Sequence, residues 1–216
     1  YGRVDRADAG KADLIRWAAL LALVAASAGA EITGAEYAMP TTVYGHGAVP
    51  GGEYAAIEVR IAPDRVLGAG LADSVYEDTV PRLVDLDGDG TPEIVTVISH
   101  FDRGAAIRIW DEVATSDHPM GTTIAVVAET APIGQRHRWL AIAGIADLDG
   151  DGLVEIAYVD RPHLARVLRV VEVRPGAEWT LTEEASAEGH TNPRFGSPVI
   201  EGGIRDCDGQ PEIITI

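Results

Sequence analysis

Two nine-residue stretches carry the side chains best suited to chemistry. Asp85 to Glu93 reads DLDGDGTPE, and 62 positions later (147 − 85) Asp147 to Glu155 reads DLDGDGLVE. Asp85, Asp87 and Asp89 put three carboxylates on alternate residues of a short loop, as do Asp147, Asp149 and Asp151. Glu93 and Glu155 add a fourth at the ninth place. Gly90 and Gly152, at the sixth, permit the positive φ that folds a loop back on itself. The seventh place holds Thr91 or Leu153, and leucine has no side-chain oxygen, so a ligand there is its backbone carbonyl. Hard oxygen donors in a flexible loop suit Ca²⁺, which takes six to eight of them. Without a cation the carboxylates repel one another. The alternative is a solvated acidic hairpin turn; a plain turn does not need four carboxylates in register.

The loop matches an EF-hand only in its first half. An EF-hand has a bidentate Glu at position 12 and a helix on either side. Position 12 here is Thr96 or Tyr158. Ile94-Val95-Thr96-Val97-Ile98 follows the first loop and Ile156-Ala157-Tyr158-Val159 the second. These short, β-branched and aromatic runs predict strands. The unit is strand, calcium loop, strand.

In this the chain resembles the FG-GAP/VCBS repeats of integrin-α-like β-propellers, whose blades carry a DxDxDGxxE calcium loop between two strands. The resemblance runs from about Val80 to the end of the chain. It implies an all-β fold, a β-propeller or part of one, with calcium held in the blade hairpins and a surface or secreted role in binding.

The elements around the loops repeat as well. Residues 106–110 and 167–171 are predicted strands that match with one residue deleted, and 122–128 and 179–182 each supply one more. The result is a four-stranded unit of roughly 60 residues, and blade-like units of fixed period are the mark of propellers. Residues 55–61 alternate as a strand does. With Tyr44-Gly45-His46-Gly47 ahead of them they read as a blade hairpin whose loop has lost its carboxylates, and no metal ligand is assigned there. Residues 62–76 are expected to be loop and strand. A third copy begins at Gly203-Ile204-Arg205-Asp206-Cys207-Asp208-Gly209, two residues short before Glu212. Its site (Asp206, Asp208, Glu212) is expected to be weak or empty, because affinity follows the number of charged ligands.

Composition and the N-terminus bound the function. Asp and Glu total 34 against 17 Lys and Arg, a formal charge of −17, which argues against nucleic acid as a partner. Lys11 and Arg16 precede an apolar run, residues 17–26, and then Ser27-Ala28-Gly29-Ala30. That pattern predicts a secretory signal over residues 1–30, an amphipathic helix being the alternative. The run is too short to span a membrane. Residues 31–216 form the propeller domain. A chain that opens on Tyr1 and stops at Ile216 in a strand-like run reads as a piece of a longer protein.

No zinc, Walker, Rossmann or GxSxG spacing occurs. Cys207 lies between two carboxylates that oppose its ionisation, so it is not read as a nucleophile. Arg136-His137-Arg138-Trp139 reads as a packed strand-end Trp with solvated arginines, the alternative being a contact to an acidic sugar. Two functions follow as expectations. One is a secreted or periplasmic calcium-binding module that binds a protein or glycan. The other is the accessory or catalytic propeller of a polysaccharide-acting enzyme.

Overall fold

The computed structural model describes residues 32–194, 197 and 199–216. The predicted secretory signal lies outside them. Every regular element among the described residues is a β-strand, paired antiparallel, so the chain is all-β.

The first strands are β1 (Ile32–Thr41), β2 (Glu53–Ile61), β3 (Arg65–Gly70) and β4 (Ser74–Tyr76). Next come β5 (Arg82–Val84), β6 (Glu93–His100), β7 (Gly104–Ala114) and β8 (Thr122–Glu129). A second meander holds β9 (Leu140–Ala146), β10 (Val154–Asp160), β11 (Val167–Arg174) and β12 (Thr180–Glu188). The hairpin of β13 (Gly203–Cys207) and β14 (Gln210–Ile214) ends the chain. Strands β1 to β8 form one eight-stranded sheet, β9 to β12 a four-stranded sheet, and β13–β14 a third.

The two acidic repeats occupy the same place in two meanders. β5 pairs with the start of β6, and Val84 faces Glu93. β9 pairs with β10, and Ala146 faces Glu155. Each acidic loop therefore joins the first two strands of its unit. In the first unit the leading strand is broken. β4 pairs with the far end of β6 and β5 with the near end, and residues 77–81 break the strand between them. In the second unit β9 runs through with a single register shift.

Alternation along β6 and β7 explains the layering. Ile94 and Ile98 of β6, with Ala106 and Trp110 of β7, face a core shared with Ile57 and Val59 of β2 and Leu67 of β3. Val95 and Val97, with Ala105, Ile107 and Ile109, face a core shared with Ile142, Ile156 and Val173 of the second sheet. Strand β6 is buried at every residue because both of its faces are covered. A sheet covered on both faces reads as a continuous apolar run, which is the pattern of Ile94 to Ile98. Ile204 of β13 rests on Gly144 of β9, where an added Cβ would lie 2.5 Å from its Cδ1.

These strands correct several boundaries. β7 and β12 extend well beyond the residues expected, while 62–76 is loop and strand as expected, its two strands joined to β2. The third copy is tighter than its relatives. Cys207 pairs with Gln210 across a two-residue turn, Asp208-Gly209, with φ of 59° and 82°. That is the Asp-Gly turn favoured in two-residue hairpins, where both residues need positive φ. Among the described residues no strand pairing closes the sheets into a barrel or a ring.

Gly104 starts β7 with φ +76°, and a Cβ there would stand 2.2 Å from the Gln135 carbonyl oxygen. Gly104→Ala is expected to destabilise the protein by roughly 2–5 kcal/mol, from left-handed strain plus a backbone clash. A urea unfolding midpoint equal to that of the parent would contradict this packing.

Candidate metal centre

The two acidic loops are the same object built twice. Asp85 accepts the Gly88 N–H at 2.8 Å and the Gly90 N–H at 3.0 Å. Asp147 accepts those of Gly150 at 2.7 Å and Gly152 at 3.1 Å. Asp87 accepts the Asp89 N–H, and Asp149 that of Asp151. Asp89 accepts the Thr91 N–H and hydroxyl, and Asp151 the Leu153 N–H. Gly90 and Gly152 take φ of 91° and 93°, as the sixth place requires. Both carboxylate oxygens of Asp85 and Asp147, and one from each of the other four aspartates, thus fold the loops.

The ninth residue works differently. Glu93 and Glu155 begin or nearly begin the second strand and are 1% exposed. Each reaches back into its loop. The Leu86 N–H donates to Glu93 Oε2 at 2.7 Å, and the Leu148 N–H to Glu155 Oε2 at 2.6 Å. Glu155 Oε1 is buried with no hydrogen-bond partner. A buried carboxylate oxygen left without a partner is costly, and a bound cation would satisfy it.

Ligand atoms of Asp85, Asp87 and Glu93 lie within 4.8 Å of one another, as do those of Asp147, Asp149 and Glu155. A third group joins Asp151 and Glu155 to Glu172 of β11. Asp89 stands outside the first group and Asp151 outside the second. Thr91 and Leu153 end the loops, each half-exposed. Asp206, Asp208 and Glu212 form no such group among the described residues. Instead Asp206 accepts the Gly209 N–H at 2.8 Å, and Glu212 pairs with Arg205 at 2.6 Å. Glu212 also raises the pKa of the Cys207 thiol by accepting its hydrogen bond.

A carboxylate on the third strand was not expected from the sequence. Glu172 lies directly across from Glu155 in the β10–β11 register. Asp111 of β7 holds the corresponding place in the first unit, one residue beyond the Ile94–Trp110 pair. It lines a 210 Å³ cavity with Asp89 and Thr91. Both acids lie inside strands, Asp111 in β7 and Glu172 in β11, and only strand register reveals that they face the loops. The two differ in one respect. Glu172 is in ion contact with Arg174 Nε, whereas the charges that bear on Asp111 are those of Asp87, Asp89 and Glu112.

The electrostatics follow from this crowding. Burial, then the charges of Asp87, Asp111 and Asp89, push the Glu93 pKa up to about 8. Glu155 is raised by burial and by Asp149, Asp147 and Asp151. Asp111 is raised by burial and by Asp87 and Asp89. In the metal-free protein these groups resist ionisation.

Comparisons of the chain with protein-family models, with characterised proteins and with solved structures gave no match.

Glu93 carries a folded-state pKa above its unfolded value, so the folded chain holds the extra proton between the two. Its contribution to stability is full below about pH 4.5 and is lost as the pH rises through about 8. In chelating buffer the melting temperature should therefore fall from about pH 5 to about pH 8, and Glu93→Gln should flatten that slope. A melting temperature that rises across the window in chelator would contradict the buried, crowded Glu93.

Proposed function

We propose that the chain is a calcium-binding β-repeat protein of the FG-GAP/VCBS kind, two of its blades clamped by Ca²⁺ and its loops used for binding. The observation that carries this is the repeated loop, in which two sets of carboxylates converge on one point while Glu155 Oε1 stays buried and unpartnered. Asp85, Asp87 and Glu93 would hold one ion, and Asp147, Asp149 and Glu155 the other. Asp89 and Asp151 fit beside them, as do the carbonyls of Thr91 and Leu153. An all-oxygen, carboxylate-rich set in a glycine-hinged loop fits Ca²⁺. It does not offer the nitrogen and sulfur ligands of a structural zinc site.

The packing supports blades rather than isolated hairpins. Two four-stranded units stack face to face, a further β layer covers the first, and the β13–β14 hairpin lies on the second. Stacked antiparallel blades are how a propeller protects its faces. The function we infer is that of a secreted or periplasmic module presenting loops to a protein or glycan. The ion would link β5 to β6 and β9 to β10 and so hold strand ends that the carboxylates alone push apart. Cation binding to the folded chain, and not to the unfolded one, raises stability by mass action.

The enzymatic alternative would be favoured by two free carboxylates facing a cleft. The cavity of 360 Å³ between the units does contain Glu129, Asp160 and Glu183. Each of them is ion-paired with an arginine, Glu129 with Arg108, Asp160 with Arg161, and Glu183 with Arg169. That reading therefore gains no observation here.

Calorimetric titration of the full chain with CaCl₂ should show two sites, with a clear rise in melting temperature over chelator. Asp87→Ala and Asp149→Ala should each remove one site, and the double variant both. A folded protein with neither heat nor thermal shift would leave the loops as acidic turns and end the calcium reading.

A further inference from the structure

The opposite end of the meanders holds a cleft lined by arginine and histidine. The β1–β2 loop (residues 42–52), the β8–β9 loop (130–139) and the β10–β11 turn (161–166) meet around a cleft. His46, His137, Arg138, Trp139, Arg161 and His163 line its 120 Å³ narrow part. It continues into a wider part of 380 Å³, with His46 and His163 common to both and Arg194 on the far side. No Asp or Glu among the described residues lines either part. Arg161 and Arg194 are paired with Asp160 and Glu201 behind the lining, which leaves Arg138 as the lining arginine without a carboxylate partner.

Arginine pairing sharpens the point. All thirteen basic residues after position 30 are arginines. Ten of them form ion pairs with carboxylates. Among the described residues the three without one are Arg136, Arg138 and Arg166, and two of the three belong to this cleft's β8–β9 loop. Arg136 is used structurally. It donates to the carbonyls of Phe101 and Tyr44, each at 2.9 Å, and lies over the Tyr44 ring at 5.0 Å. Arg138 donates to the His137 carbonyl at 2.8 Å, half-exposed in the cleft wall.

The histidines beside it are held in place from below. Glu53, 4% exposed, accepts the backbone N–H groups of Gly45, His46 and Gly47. Glu77, fully buried, accepts from Ser99 Oγ at 2.6 Å and lies 2.9 Å from His46 Nδ1. The His46 ring stacks on His137 at 5.1 Å, and His137 packs edge-on to Tyr44 at 4.8 Å. Two buried glutamates thus fix the loop that carries His46, whose ring stacks on His137 of the β8–β9 loop beside an arginine free of carboxylates. A planar guanidinium fork matches a carboxylate, and the second nitrogen of each ring, the first being held by Glu77 in His46 and by the Tyr44 carbonyl in His137, offers a polar edge to a sugar hydroxyl.

We propose that this cleft binds an acidic saccharide, its carboxylate on Arg138 and its ring against His46 and His137. The inference names the partner class for the binding module above. It depends on the loop scaffold and not on the ions. The chain's overall charge disfavours long polyanions at a distance, so recognition falls on one or a few sugar units in the cleft.

The test is calorimetry of the full chain in CaCl₂ with a galacturonic acid trimer, a galactose trimer and sodium sulfate as separate titrants. The acidic trimer should bind and the neutral one should not. Arg138→Gln should weaken binding about tenfold or more, as loss of a charge-assisted pair does. Arg60→Gln, at an exposed arginine of β2 outside the cleft, should leave it unchanged. Arg138→Lys, which keeps the charge and loses the fork, should fall between, and covers the case in which the glutamine variant does not fold. Equal binding of both trimers, no binding of the acidic one, or sulfate binding alone would overturn the proposal. So would an Arg138→Gln variant with parental affinity. Calcium heats are measured in the same preparations, so failure of the calcium sites and failure of the cleft are seen separately.

Discussion

Much of this structure depends on burying a carboxylate at the head of a central strand. Glu93 and Glu155 are each 1% exposed, and each accepts a loop N–H seven residues back in sequence. The bond ties loop to strand and fixes where the strand starts. It also commits an acid to the edge of an apolar core among other acids. Desolvation opposes its charge, and neighbouring aspartates oppose it further. Only a proton or a cation relieves both, so the fold is linked to whichever is bound. The same carboxylate sets the geometry of the loop and the need for its occupant.

A meander then sorts chemistry by end. Loops between the first and second strands of each unit face one way, and loops between the second and third face the other. The first set holds the repeated aspartates. At the second, buried Glu53 and Glu77 are consumed by backbone amides, a serine and His46, and the exposed groups are arginine and histidine. Acids therefore serve two purposes here. At one end exposed aspartates converge with a buried glutamate on a point, and at the other buried glutamates hold the His46 loop in shape. Rigid strands between the two ends let each be built without disturbing the other.

Legibility in the sequence followed the range of the interaction. Local signals were readable: the aspartate spacing, the glycine at the sixth place, the β-branched runs after each loop and the four-strand repeat. The partners that depend on register were not. Asp111 and Glu172 carry no motif, and only the pairing of β6 with β7 and β10 with β11 brings them to the loops. The break between β4 and β5 was hidden for a similar reason. Glu77 and Asp78 look like surface residues, yet both are buried, Glu77 on His46 and Ser99, Asp78 on Arg82 at 2.6 Å. Trp139 was legible as a packing residue, and its indole N–H donates to the Glu77 carbonyl. Its neighbour Arg136 was read as solvated, but it bonds two carbonyls from loops distant in sequence. The third copy was readable as defective. That it is a two-residue Asp-Gly turn followed from the loss of two residues, which leaves no chain to wrap around an ion.

Near-identical loops need not be equal sites, and the third strand makes them differ. In the first unit Asp111 adds a carboxylate whose charged neighbours are other acids, and Glu93 is pushed far from its ordinary range. In the second, Glu172 is already in ion contact with Arg174, which also reaches toward Glu184 at 3.9 Å. An internal cation does there part of what a bound ion would do. The first loop joins strands whose leading partner is broken into β4 and β5, three residues each. The second joins an unbroken β9. The unit with the weaker strand pairing is thus also the one with the greater uncompensated negative charge. Both features place the larger share of any cation's stabilising effect on the first loop, whose β5 shares three register pairs with β6 against six between β9 and β10.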